Sequence, residues 1–350
     1  MDIKGGYTAS CRIVPINVKT WEGTGTLTGV KSVKVVSRIT DQVPKIQSAS
    51  MTIVLPEGER FPGGWYRVEA VLSDGTGSTE LIRLGTLLFD STSGINDYGV
   101  ETVSVKGQSV LKPVEDAHLK KGSYIPKNAN GADWVLDVLS KATPAPVILD
   151  DENGFTVDRY YVFDGGTSCL KAVWNILDSA GWVLQIHGDG SIHVLKKPKK
   201  CKVEYGRDNL RFVKPAISYD SDVTEVPKYY FARLNAQSAE VTNDDPDSEV
   251  SVVRRTYVKD VVDLDPIPVD GESLDHYVVR RLEEESVILE TYDLERDYLE
   301  KDVYPFDNVY WNIPTVHTGA MRLLEQTVTF DQGLLYEEKY GKEVRLWTRK

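Results

Sequence analysis

The segment from residue 165 to residue 196 constrains the fold more than any other part of the sequence. Thr167 or Ser168 can cap a helix here, because a hydroxyl oxygen accepts a hydrogen bond from an otherwise unpaired backbone N–H. Gly181 supplies the left-handed residue that ends the helix. Between them, apolar residues at i, i+3, i+4 and i+7 predict one buried helix face, formed by Leu170, Val173, Trp174 and Leu177.

Two strand-like runs follow this helix and form a predicted hairpin. Residues 183–186 and 191–195 are the strands, and the sequence His-Gly-Asp-Gly at 187–190 is the turn between them. A second helix precedes the segment, opened by Asn130 or Asp133 and ended by prolines, which lack an N–H group. Its predicted buried positions are Trp134, Val135, Val138, Leu139 and Ala142. Together these elements predict a small middle α+β domain over residues 114–200.

The rest of the chain is rich in strands. Alternation of apolar and polar residues over 47–55 and 66–72 is typical of a sheet with one buried face. Several short strands at regular spacing predict an N-terminal β-barrel domain over residues 1–113, and the strands of 201–235 are candidates to return to it. A helix at 272–285 and further strands make residues 236–350 a second strand-rich part.

The predicted fold class is therefore α+β and mainly β. Two strand-rich parts, residues 1–113 and 236–350, flank the smaller α+β domain. A chain of 350 residues is long for one core, which agrees with two or three domains.

Composition excludes several classes of protein. No run approaches the roughly 18 apolar residues of a membrane span, so no membrane insertion is expected. The first ten residues lack the apolar core of a secretory signal. A net charge of −12 argues against specific nucleic-acid binding. The three scattered cysteines, Cys11, Cys169 and Cys201, predict reduced thiols in a protein made in the cytosol.

Catalytic and metal-binding motifs are not found. The five histidines are not accompanied by a GxSxG, HExxH or paired CxxC pattern. His187 and His193 flank one hairpin turn and could share a face, which raises a metal hypothesis. Two ligands without a third nearby ligand are weak evidence, so we interpret both as solvent-facing hairpin histidines. The sequence predicts no catalytic residue, no cofactor, no metal site and no enzymatic activity.

Several of these stretches, taken in order, resemble a known family. They are residues 81–86 (LIRLGT), 102–107 (TVSVKG), 131–136 (GADWVL) and the Gly181–Trp182 hairpin with its Asp189–Gly190 turn. The chain resembles the baseplate hub proteins of contractile phage tails and of phage-like particles. The hub-like base of type VI secretion spikes is a more distant relative.

This resemblance implies a structural role in a ring. Such hubs form homotrimers in which each subunit contributes two similar barrels, which gives a pseudo-sixfold torus. The resemblance implies that residues 1–113 and 236–350 are two small antiparallel β-barrel-like domains, with the α+β domain between them. The torus meets the hexameric tail tube above and a trimeric spike or other baseplate proteins below. The implied location is the tail baseplate of a virion or phage-like particle.

An alternative function stays open from the sequence. The chain could be a tail-associated cell-wall module that binds or hydrolyses peptidoglycan. Exposed aromatic residues would then stack on sugars, and the candidates are Trp65, Tyr66, Tyr304 and Trp311.

Overall fold

The computed structural model of the chain divides it into two compact units. The first comprises Met1–Ala216 and Leu294–Lys339, and the second comprises Ile217–Asp293 and Tyr340–Lys350. The residues that the structure describes are 7–39, 47–56, 59–74, 76–97, 100–157, 159–206, 218–220, 223, 226–255, 259–264, 266, 272–296, 302–313, 317–331 and 333–349. The first six residues, where no secretory signal is expected, and much of 201–235 lie outside them.

Strands dominate both units. They are β1 Tyr7–Pro15, β2 Val30–Arg38, β3 Gln47–Leu55, β4 Gly64–Asp74, β5 Thr79–Asp97, β6 Val100–Gln108, β7 Tyr124–Ile125, β8 Val147–Leu149, β9 Tyr161–Val162, β10 Trp182–Ile186, β11 Ile192–Lys196, β12 Cys201–Gly206, β13 Ser218–Asp220, β14 Pro227–Leu234, β15 Gln237–Thr242, β16 Lys259–Asp263, β17 Val287–Arg296, β18 Asn308–Ile313, β19 His317–Phe330 and β20 Leu334–Arg345. The helices are α1 Lys112–Asp116, α2 Gly131–Ala142, α3 Cys169–Ala180 and α4 Leu274–Glu285. The predicted α+β, mainly β class is confirmed.

The N-terminal strands form an antiparallel sheet in the order β1-β4-β5-β6-β3-β2. Along β3 the odd-numbered residues are buried and the even-numbered ones face outward, as the alternation predicts. The outer edge of β2 pairs with β19 instead of returning to β1. Among the described strands, no closed barrel is found.

Strand β19 joins the N-terminal strands to strands from much later in the chain. Its residues 325–330 pair with β2, and its residues 317–322 pair with β18. Strand β12 then pairs with β18 in parallel. One compact unit therefore contains hydrogen-bonded strands from both ends of the sequence.

The predicted helices and hairpin of the middle segment are confirmed. Asn130 caps α2, because its side-chain oxygen accepts hydrogen bonds from the N–H groups of Ala132 and Asp133. Gly181 ends α3 in the left-handed conformation with φ of 69°. Ser168 precedes α3 but does not cap it, because its hydroxyl donates to the carbonyl of Glu115. Strands β10 and β11 form the hairpin, and β8 pairs with β11 in parallel.

The buried face of α3 differs from the predicted stripe at one position. Leu170, Val173 and Leu177 are buried as predicted, but Trp174 is only half-buried. Ile176 is fully buried instead. The buried face of α3 is wider than the predicted stripe, and Trp174 lies at the edge of that face. The centroid of its ring is 6.3 Å from that of Phe306.

In the second unit, helix α4 packs on a three-stranded sheet of order β15-β14-β16. The Ser273 side chain caps α4 by accepting from the N–H of His276. Tyr277, Val278 and Leu282 are buried and form the inner face of this helix.

Two expectations from composition concern the described residues directly. None of the helices in these ranges is long and apolar enough to cross a membrane. Cys11, Cys169 and Cys201 are all free thiols, as the sequence predicts.

Ile176 provides a test of the α3 packing. Ile176→Ala should lower the free energy of unfolding by about 2–5 kcal/mol, because it removes a fully buried side chain and leaves a cavity. Its exposed neighbour Asn175 is the control. Asn175→Ala should change the free energy of unfolding by no more than about 0.5 kcal/mol. Urea denaturation measures both. Equal midpoints for the two variants would contradict the assigned face.

Candidate functional site

The hairpin turn of the middle segment docks on the N-terminal strands of the same unit. Trp21 Nε1 donates to the carbonyl of Asp189 at 2.9 Å, and Arg67 Nη2 donates to the same oxygen at 3.2 Å. Thr86 Oγ1 donates to the carbonyl of Gly188 at 3.3 Å. Three side chains thus bind two neighbouring turn carbonyls, and we call this contact the turn joint.

Arg67 is the charged member of the turn joint. Its side chain is buried, and its Nε also donates to Thr86 Oγ1 at 3.2 Å. Burial lowers the pKa of the Arg67 guanidinium, and the nearby charge of Arg83 lowers it further, while Glu69 and Asp189 raise it. A buried arginine needs all its hydrogen-bond partners, so the turn carbonyls are held in fixed positions.

The glycine of the turn is required by a close backbone approach. A Cβ atom on Gly188 would lie 1.8 Å from the carbonyl oxygen of Arg83. Gly190 has φ of +86°, and a Cβ there would lie 2.6 Å from that of Thr86. The two glycines of the His-Gly-Asp-Gly sequence therefore allow both the turn and its close contact with the N-terminal strands.

Three aromatic rings stack beside the turn joint. The ring of His187 lies 3.6 Å from that of His193 on one side and 4.3 Å from that of Tyr304 on the other. Both histidines are half-buried, so their interpretation as solvent-facing residues is wrong. The reason is the loop at 302–307, which covers the hairpin and is bound to it by Gln185, whose Nε2 donates to the Pro305 carbonyl at 3.0 Å.

Burial sets the charge of this ring stack. Burial, together with the neighbouring His193 and Lys202, lowers the pKa of His187 to about 4. Burial and the Asp302 carboxylate raise the pKa of Tyr304 to about 12. Both rings are therefore neutral near pH 7.

A chain of hydrogen bonds links a serine, a histidine and an aspartate. Ser191 Oγ lies 3.0 Å from His193 Nε2, and His193 Nδ1 lies 2.7 Å from Asp150 Oδ1. This is the connectivity of a serine hydrolase triad. The sequence motifs gave no indication of it, because Asp150 lies 43 residues from His193 and the serine is not in a GxSxG elbow.

The serine proton, however, points elsewhere. Ser191 Oγ donates to Asp189 Oδ1 at 2.6 Å, and a carboxylate can only accept. The oxygen is then an acceptor toward His193, the reverse of what a nucleophile needs. Ser191 is 3% exposed, and the His187 ring covers that of His193. This arrangement fixes the turn.

A cavity of about 340 Å³ opens next to the ring stack. It is lined by residues of β2, β5 and β19, by the hairpin turn and by the loop at 302–304. At its inner end Gln326 Nε2 donates to Tyr336 OH at 2.5 Å, and Tyr336 OH donates to Glu338 at 2.7 Å. Glu338 forms a fully buried ion pair with Arg296. Gln326 and Tyr336, which line the cavity, are thus linked by hydrogen bonds to this buried ion pair.

Metal and glycan sites can be compared with these positions. Within the described ranges, no group of three or more His, Cys, Asp or Glu side chains is placed to hold a metal ion. Trp65, Tyr66 and Trp311 are 8%, 4% and 0% exposed, so their interpretation as sugar-stacking residues is wrong. Each fills a core position instead. Tyr304 stacks on His187.

Comparison with known proteins identifies the fold. No family model matches the sequence, and no curated protein matches it. Among solved structures, a tail protein from Neisseria meningitidis aligns over 96% of this chain and 97% of its own, with a TM-score of 0.64 and 13% identity. The chain has the fold of phage tail proteins.

Further structures agree with this fold. The 43 kDa tail protein of prophage MuSo2 from Shewanella oneidensis aligns over 95% of this chain and 96% of its own, with a TM-score of 0.64 and 11% identity. A Francisella PdpA-VgrG complex aligns over 98% of this chain and 59% of its own, with a TM-score of 0.57 and 9% identity. The resemblance to tail hub proteins is confirmed at the level of the fold.

Gly188 tests the turn joint. Gly188→Ala should lower the free energy of unfolding by about 1–3 kcal/mol, because its Cβ would clash with a backbone oxygen and displace the turn. Gly25→Ala is the control, since no atom lies within 4 Å of its added Cβ. It should change stability by no more than about 0.5 kcal/mol. A melting temperature that is lowered equally in both variants would contradict the close approach of Gly188 to the Arg83 carbonyl.

His187 predicts an acid-dependent loss of stability. Its folded pKa, about 4, lies below the ordinary value of 6.5, so folding favours the neutral ring. The stabilisation is complete above about pH 6.5 and is lost as pH falls toward 4, since the unfolded chain binds the proton first. After discounting for partial exposure, the loss is on the order of 1–2 kcal/mol.

His187→Gln removes this titrating group and should flatten the dependence of unfolding free energy on pH between about 6.5 and 4. Chemical denaturation of both proteins at several pH values measures the difference. If the unfolding free energy of the native chain and that of the variant depend on pH in the same way, His187 does not cause the loss of stability in acid.

Proposed function

We propose that this chain is a structural subunit of the baseplate hub of a contractile phage or phage-like tail. One observation carries the proposal, the end-to-end alignment with the Neisseria tail protein over 96% of this chain and 97% of the other. An alignment of this extent covers the middle segment as well as both strand-rich parts, so the whole architecture is shared.

In this proposal the subunit forms a homotrimeric ring. The N-terminal barrel-like domain is residues 1–113, with 201–235 returning to it, and the C-terminal one is residues 236–350. The middle domain is residues 114–200. The ring joins the hexameric tail tube to the central spike, and the protein is located in the tail baseplate after synthesis in the bacterial cytoplasm.

The proposed role is structural and non-enzymatic. The triad-like arrangement supports this, because the Ser191 proton is donated to Asp189 and the residue is buried. No cofactor, metal or specific nucleic-acid contact is part of the proposal. The cell-wall module loses its main support, since three of its four candidate aromatic residues are buried.

Imaging of the assembled particle tests the proposal. Cryo-electron microscopy of tails from the organism that encodes the chain should show it as a threefold ring at the junction of tube and spike. Particles from which the chain has been deleted serve as the control and should lack that density. A copy number that is not a multiple of three, or a position away from the baseplate, would refute the hub function.

A further inference from the structure

Three large side chains form an exposed apolar patch on the middle segment. Tyr124, Tyr160 and Val162 are 62%, 67% and 77% exposed. Tyr124 pairs with Val162 across the β7–β9 ribbon, and Tyr160 lies directly before β9, two residues from Val162. Clustered apolar side chains of this exposure mark an interaction surface more often than scattered single ones. We call them the tyrosine patch.

The tyrosine patch has a basic border. Residues 117–127 contain three lysines and no acidic residue. Lys120 and Lys121 are exposed, and the turn that they begin, in which the Ser123 N–H donates to the Lys120 carbonyl, leads directly into Tyr124. Lys127 is exposed just beyond β7. A partner for this patch should therefore combine apolar side chains with negative charge.

The second unit presents a surface of that kind. Val262 is 60% exposed on the edge strand β16, and Asp260 is exposed two residues before it. Leu264 follows the strand directly and is 65% exposed. Asp263 faces the opposite side, where its carboxylate accepts hydrogen bonds from Tyr230 and Tyr277. We call Asp260, Val262 and Leu264 the edge patch.

Most of the net negative charge of the chain lies in the second unit. The second unit, residues 217–293 and 340–350, contains 20 acidic and 11 basic residues, so it carries −9 of the net charge of −12. The edge patch thus lies in the strongly acidic part. The tyrosine patch has lysines around it.

We propose that the tyrosine patch of one copy binds the edge patch of a second copy of this chain. The two surfaces differ, so the contact is head-to-tail, the kind that closes into a ring or extends into a fibre. Apolar contact supplies affinity, and the lysines and aspartate fix orientation. The inference rests on the proposed function only in that a ring requires such a contact.

Self-association of the purified full chain tests the contact. Analytical ultracentrifugation over a concentration series should show reversible association that weakens as salt is added. Tyr124→Ser with Tyr160→Ser should raise the dissociation constant at least about tenfold. Tyr310→Ser is the control, since Tyr310 is 37% exposed on another strand and should leave the constant unchanged. Unchanged melting temperatures confirm that the exposed substitutions leave folding intact.

A charge exchange separates this contact from general stickiness. Lys120→Glu with Lys121→Glu should weaken association, and so should Asp260→Lys. All three changes in one chain should restore part of the lost affinity, because the opposite charges meet again between copies. Additive weakening in the triple variant would overturn the pairing of these two surfaces.

Other outcomes are also decisive. A native chain that stays monomeric at every concentration overturns the contact but leaves the tail function to the particle images. A monomeric chain that binds a purified anionic cell-wall polymer through Tyr124 and Tyr160 assigns the patch to a glycan and also overturns it. A threefold ring in the particle with both patches exposed to solvent overturns the contact alone.

Discussion

A buried arginine at the turn joint holds the middle segment to the N-terminal strands. Arg67 donates to the Asp189 carbonyl 122 residues away, and its other bonds go to Thr86 and Trp21. A buried polar group that loses its hydrogen-bond partner costs about 1–3 kcal/mol, and a charged group costs more, so this contact tolerates little displacement. The close approach of Gly188 to the Arg83 carbonyl follows from it.

Much of the local chemistry depends on that position. The docked turn places His187 between His193 and Tyr304, and Gln185 binds the loop that carries the tyrosine. The same turn places Asp189 where it accepts the Ser191 proton. Groups that could titrate or react elsewhere are neutral, covered or already hydrogen-bonded here. The site forms a fixed connection between the middle segment and the N-terminal strands.

Features decided by neighbouring residues could be predicted from the sequence. Helix α2 begins at the Asn130 cap, α3 ends at Gly181, and β3 alternates, because each depends on contacts within a few positions. Features decided by distant residues could not. The β2–β19 pairing joins Arg38 to Glu325, and it leaves the sheet open. The contact of His193 with Asp150 likewise depends on the parallel pairing of β8 with β11.

The central proposal is that this chain is a structural subunit of a tail. Quantitative mass spectrometry of purified tail particles from the encoding organism tests it most directly. The account predicts that the chain is present at three copies for each tail and at a constant ratio to the hexameric tube protein across preparations. Particles that contain the tube protein and lack this chain would contradict it.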